Sequence, residues 1–94
     1  MAKMTKKRDR LEVIFDILSI ISKNNNSIKP TPLLRQSNLS SNSFGEYYKE
    51  LTNKNLVKEL QDKNGKKYVT LTDQGFNYIS KYKYIKGFIS EFDL

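Results

Sequence analysis

The 94-residue chain contains neither cysteine nor histidine. Without cysteine, no disulfide framework and no thiolate metal site can form, and the composition is compatible with a reducing cell interior. Without histidine as well, the usual general base, covalent thiol and transition-metal ligands are missing, leaving carboxylates, lysines and hydroxyls for any chemistry. An enzyme is therefore not expected, nor a cofactor, a bound metal or a small-molecule substrate. Long apolar runs are absent too. The longest, Leu11 to Ile21, is broken by Glu12 and Asp16, so it is neither a signal-peptide core nor a membrane span. These absences point to a soluble, cytoplasmic product.

What the chain does have is positive charge. Its 17 Lys and Arg stand against 10 Asp and Glu, a net charge of +7, and such an excess favours a polyanionic partner. The excess is local. Residues 1–10 hold Lys3, Lys6, Lys7, Arg8 and Arg10 against Asp9 alone, whereas residues 72–94 balance three lysines with Asp73, Glu91 and Asp93. At this length one domain with one modest core is expected.

Hydrophobic spacing predicts four helices and a hairpin. Leu11, Ile14, Phe15, Leu18 and Ile21 recur at helical intervals within a first helix from about Thr5 to Lys23, which Asn24-Asn25-Asn26 should stop. Ser27 to Lys29 is a candidate short strand. Thr31-Pro32 offers an N-cap followed by proline in the first helical position, starting a second helix that ends near Ser37. A third helix follows within three or four residues, begun either by Ser40 or by Ser43 with Glu46 as a capping box, a choice the sequence leaves open. Its inward stripe is Phe44, Tyr48 and Leu51. That spacing of second and third helices is a helix-turn-helix pattern.

Leu56 to Gln61 and Lys66 to Leu71 read as two hairpin strands around Asn64-Gly65, the pair best suited to a mirror-image two-residue turn. Lys63, Lys66 and Lys67 flank the turn, so the hairpin reads as a wing lying against a nucleic-acid backbone; the bland alternative is a solvated tip. Thr72 is a candidate cap for the last helix, and Gly75 is small enough to let its first turn approach the strands. Tyr78, Tyr82, Ile85, Ile89 and Phe92, spaced 4, 3, 4, 3, form a heptad seam with Phe88 to one side. A helix of about 30 Å overhangs a body of this size, and the exposed patch calls for a second copy of the chain as cover.

The polar face of the third helix nominates Ser41, Asn42, Ser43, Glu46 and Lys49 for the major groove. Asn42 suits adenine, but no arginine is present for the commonest guanine contact, so the set holds a backbone better than it reads a sequence. Asn64, Lys63, Lys66 and Lys67 on the wing, Arg35 on the second helix, and Lys7, Arg8 and Arg10 as an N-terminal arm complete the candidate DNA-binding residues. Capping alone would account for the serines and asparagines, and a frayed terminus for the arm.

RLEVIFDIL in the first helix, SNLSSNSFGEYYKELTNKNLV through the turn and third helix, and KKYVTLTDQGFNYI from wing to last helix carry a resemblance to the winged helix-turn-helix domain. More narrowly, the chain resembles the small archaeal DNA-binding proteins of the Sulfolobus 10a family over nearly its whole length. The resemblance implies an α+β, mainly helical fold, with a winged helix-turn-helix domain over residues 1–75 and a dimerisation helix over 76–94. It further implies an antiparallel coiled-coil homodimer, joined through Tyr78, Tyr82, Ile85, Phe88, Ile89 and Phe92, that binds double-stranded DNA. The expected role is a nucleoid-associated, chromatin-type architectural protein. A sequence-specific transcription regulator and a protein-docking winged helix that binds no DNA are the alternatives.

Overall fold

The computed structural model describes residues 8–94, and the expected arm residue Lys7 lies outside them. Four helices and one hairpin follow in the order α1 (Arg10–Lys23), α2 (Pro30–Ser37), α3 (Ser41–Asn53), β1 (Val57–Gln61), β2 (Lys67–Leu71) and α4 (Asp73–Glu91). This is the winged helix-turn-helix arrangement that the resemblance implies, and it measures 50 × 28 × 22 Å. The long axis reflects α4, whose 19 residues span roughly 28 Å at 1.5 Å per residue.

Helix boundaries follow from caps. Asp9 is extended and its carboxylate accepts the Glu12 N–H, so α1 starts at Arg10 and not near Thr5. Asn25 and Asn26 take left-handed backbone angles and end it. α2 begins at Pro30, two residues before the expected start, and Thr31 is not its cap. Both Pro30 and Pro32 fall in the first turn, where helical N–H groups have no intrahelical acceptor, and the first such bond runs from Leu33 N–H to the Lys29 carbonyl. Asn38, left-handed at φ 60°, ends α2 and turns the chain into Ser40. Of the two candidate caps, Ser40 begins α3, its hydroxyl accepting the Ser43 N–H at 3.1 Å.

The core comprises Val13, Ile14, Ile17, Leu18 and Ile21 of α1 with Ile28, Leu33, Phe44, Leu51, Val57, Val69 and Leu71. Two of the α1 positions differ from the expected face. Leu11 is half exposed and Phe15 half buried, while Val13 and Ile17 are buried in their place. The cause is a second apolar stripe: Leu11 and Phe15 face α4, where Phe15 stacks on Tyr82 with ring centroids 4.6 Å apart and the Leu11 carbonyl accepts the Tyr78 hydroxyl at 2.7 Å.

The strands pair antiparallel from Val57↔Leu71 to Gln61↔Lys67. The candidate strand at Ser27 to Lys29 is a single bridge, Ile28↔Val69, bonded in both directions. The hairpin turn is not the mirror-image type. Gly65 alone in the turn has positive φ, and its N–H closes onto the Asp62 carbonyl at 3.0 Å around Lys63-Asn64. The Asp62 carboxylate accepts the N–H groups of Asn64 and Lys66, both at 2.9 Å, and this side-chain anchor selects the longer loop. α4 then starts from Thr72, whose hydroxyl accepts the Gly75 N–H.

Candidate nucleic-acid interface

The inner side of α3 is held at both ends. Phe44 and Leu51 are buried, and Tyr48 stacks on Phe44 and donates its hydroxyl to Glu59 of β1. Burial first, then the bond to Glu59 and its charge, raises the Tyr48 phenol well above its ordinary pKa, so it remains a neutral donor. Glu50 pairs with Arg10 of α1 and, at 3.8 Å, with Lys54. Ser37 is buried in the turn before α3, its hydroxyl donating to the Leu34 carbonyl at 2.7 Å and accepting the Leu39 N–H at 3.3 Å. These contacts leave α3 little freedom to rotate about its axis.

The outer side is exposed and polar. Asn42, Glu46, Lys49 and Asn53 recur at intervals of 4, 3 and 4 and form one stripe, with Ser41 and Ser43 flanking it in the first turn. The N–H groups of that turn and the positive end of the helix make it favourable to anions.

Beside α3 stands the wing. Lys63, Asn64, Lys66 and Lys67 are all exposed, while the one carboxylate of the loop, Asp62, is occupied by the N–H groups it accepts. Residues opposite each other in an antiparallel pair share a sheet face. Gln61 and Lys67 therefore lie on the face of Glu59 and Val69, the side that Tyr48 of α3 reaches. Lys58, Leu60, Tyr68 and Thr70 occupy the other face, with Lys29 against the Tyr68 ring at 6.0 Å. Sequence reasoning passed over Lys29 and Lys58; the signal for Lys58 was the strand alternation, which sets it opposite to Lys67.

The two described residues of the expected arm are used inside the chain. The Arg8 guanidinium donates to Asp16 at 2.9 Å and to the Ser37 carbonyl at 3.0 Å, clasping the start of α1 to the end of α2. Arg10 is committed to Glu50. Arg35 is exposed on α2.

On α4, Tyr78 and Tyr82 are half buried against α1. Burial, then the neighbouring Tyr82 and Asp9, outweighs Arg10 and pushes the Tyr78 hydroxyl up to about 12, and burial with Asp9, Glu12 and Asp16 raises Tyr82. Beyond them Ile85, Phe88, Ile89 and Phe92 are 55, 57, 40 and 59 % exposed, an apolar face with none of the described residues covering it. Phe76, in the first turns of the same helix, is also exposed. Among the described residues no cluster of His, Cys, Asp and Glu could hold a metal, and no helix is long and apolar enough to cross a membrane.

A family model described as winged helix-turn-helix matches residues 7–90. No curated protein matches the chain. Among solved structures it is similar to the crystal structure of Sso10a-2, a DNA-binding protein from Sulfolobus solfataricus, with a TM-score of 0.71 and 17% identity over 92% of this chain and 87% of that one. It is also similar to F93 from STIV, a winged-helix DNA-binding protein, with a TM-score of 0.69 and 16% identity over 84% and 90% of the two chains. At these identities the likeness is one of fold.

Proposed function

Because this chain belongs to the winged helix-turn-helix family, we propose that it binds double-stranded DNA as a homodimer, chiefly through the phosphate backbone. The observation that carries the reading is the exposed polar stripe of α3 beside a lysine-tipped wing whose Lys67 shares its sheet face. In this reading α3 enters the major groove, its serine-rich first turn and Lys49 hold phosphates, and Lys63, Lys66 and Lys67 meet the adjacent backbone. Asn64 and Arg35 are peripheral contacts. The two structural neighbours named above are DNA-binding proteins, which agrees with this use of the fold.

Dimerisation places Ile85, Phe88, Ile89 and Phe92 of two α4 helices against each other, with Tyr78 and Tyr82 at the root of the seam where each helix leaves its own α1. An antiparallel pair closes with two-fold symmetry and leaves no apolar edge. The role is architectural more than regulatory, since the α3 stripe carries no arginine to pair with guanine, and the site of action is the nucleoid.

A salt titration tests the mechanism. With Lys49, Lys63, Lys66 and Lys67 of both protomers on phosphates, the slope of log K against log salt approaches about −7, and a slope shallower than about −2 excludes a backbone-directed mode. Competition between random and selected duplexes tests the role: a specificity ratio above about 10³ would mark a regulator.

A further inference from the structure

Each acidic residue from Arg8 to Gly75 has a local task except one. Asp9 caps α1, and Glu12 sits in its first turn, where the helix end favours a negative charge. Asp16 holds Arg8, Glu50 holds Arg10 and Lys54, and Glu59 accepts the Tyr48 hydroxyl. Asp62 anchors the wing loop, and Asp73 opens α4. Glu46 does none of these things. It is exposed, beyond the first turn of α3, and forms no ion pair or side-chain hydrogen bond among the described residues.

Its position makes this informative. Glu46 lies in the middle of the exposed stripe, one turn after Asn42 and one turn before Lys49. A carboxylate there repels every phosphate it approaches, so it opposes backbone binding by a chain of net charge +7. Against base edges it discriminates. Guanine presents two acceptors and thymine one, all of which repel a carboxylate, whereas cytosine presents an N4 amine that donates to it. Adenine pairs an amine with an acceptor, a pattern that suits an amide better than a carboxylate.

From this we infer that Glu46 is a specificity-determining residue of α3, accepting a hydrogen bond from the exocyclic amine of a cytosine and rejecting guanine and thymine at that position. The inference rests on the DNA-binding reading and narrows it: lysines hold the duplex, and one carboxylate decides where holding is favourable. Sequencing the duplexes retained from a randomised pool by the parent, Glu46→Gln and Glu46→Ala proteins is the test. The parent enriches cytosine at one position by about tenfold, in line with a single good base contact. Glu46→Ala reduces that enrichment to less than about twofold and tightens binding to random duplex. Glu46→Gln shifts the preference to adenine, because an amide can both donate and accept. A parent that binds without enriching any base, or enrichment unchanged in both variants, overturns the assignment while leaving DNA binding intact. A parent that retains no duplex overturns the DNA-binding reading itself.

Discussion

Replacing Gly75 by alanine should unfold this domain at a markedly lower temperature, although alanine is the better helix former. Gly75 is the third residue of α4 and is buried at the crossing of that helix with the hairpin. A Cβ at this position would stand 2.3 Å from the Leu56 carbonyl oxygen and 3.3 Å from Leu71 Cδ2. An ordinary carbon–oxygen contact is about 3.3 Å, so one side must retreat by roughly 1 Å. Neither is free to do so. The Leu56 carbonyl accepts the Thr72 N–H at 3.1 Å, and the Leu56 N–H donates to the Leu51 carbonyl at 2.9 Å. On the other side the Thr72 hydroxyl donates to the Asn55 carbonyl at 2.6 Å and accepts the Gly75 N–H. Overpacking costs about 1–3 kcal/mol, and loss of one of these bonds adds about 1 kcal/mol. Alanine's helix preference returns at most about 1 kcal/mol. A net loss of about 1–3 kcal/mol lowers Tm by roughly 4 °C or more in a domain of this size. Gly45 and Gly87 provide the control, since a Cβ at either meets nothing within 4 Å; alanine there raises stability by up to about 1 kcal/mol. Thermal melts followed by far-UV circular dichroism compare the three variants with the parent. A Gly75→Ala protein melting within about 2 °C of the parent would refute the close-approach account.

Changing Lys66 and Lys67 to Glu should abolish the mobility shift of duplex DNA at physiological salt while leaving the melt unchanged, because both side chains are exposed; a docking module would have no DNA binding to lose. Sedimentation of an Ile85→Asp, Ile89→Asp protein should give a monomer with parental helix content, and a parent already monomeric at micromolar concentration removes the proposed dimer. Tyr78→Phe deletes the bond to the Leu11 carbonyl and should cost about 1 kcal/mol. Because the folded Tyr78 hydroxyl is raised from 10.0 to about 12, the unfolded chain loses this proton first. Stability should therefore be level below the unfolded value and fall as pH rises towards the folded one. Alkaline melts of Tyr78→Phe should show a shallower fall, and an identical one would remove Tyr78 as its source.

Features set by neighbours along the chain are legible in the sequence itself. The Thr72 cap depends on an N–H three positions on, and the stop after α1 on left-handed backbone angles that Asn25 and Asn26 tolerate. Features decided by remote partners are not. Arg8 and Arg10 sit in a cationic cluster, and only the folded chain brings the Ser37 carbonyl and Glu50 to them. The two stripes of α1 overlap, so periodicity cannot assign Val13 and Ile17 to the body and Leu11 and Phe15 to α4. The wing shows the middle case. Its position follows from strand alternation and Asn64-Gly65, but its turn is chosen by the Asp62 side chain. The α3 stripe is legible as a polar face; only the fold shows that the other described carboxylates up to the start of α4 are either bonded to a partner or set in the first turn of a helix, which singles out Glu46.

The same contacts make α1 the coupling between the proposed dimer and the proposed reading helix. Its outer stripe holds α4 through Phe15 and Leu11, while Arg10 ties its start to α3 and Arg8 ties it to the end of α2. The angle at which α4 leaves the body is therefore fixed relative to α3 within one protomer. If two α4 helices pair beyond Tyr82, that angle sets the separation of the two α3 helices, and a two-fold dimer can engage one face of a duplex only at separations near multiples of about 34–36 Å. A dimer whose separation misses those values would have to bend its DNA or hold two duplexes at once. In the proposed dimer, the geometry of the tyrosine contacts on α1 thus decides between bending and bridging, without altering any residue proposed to touch DNA.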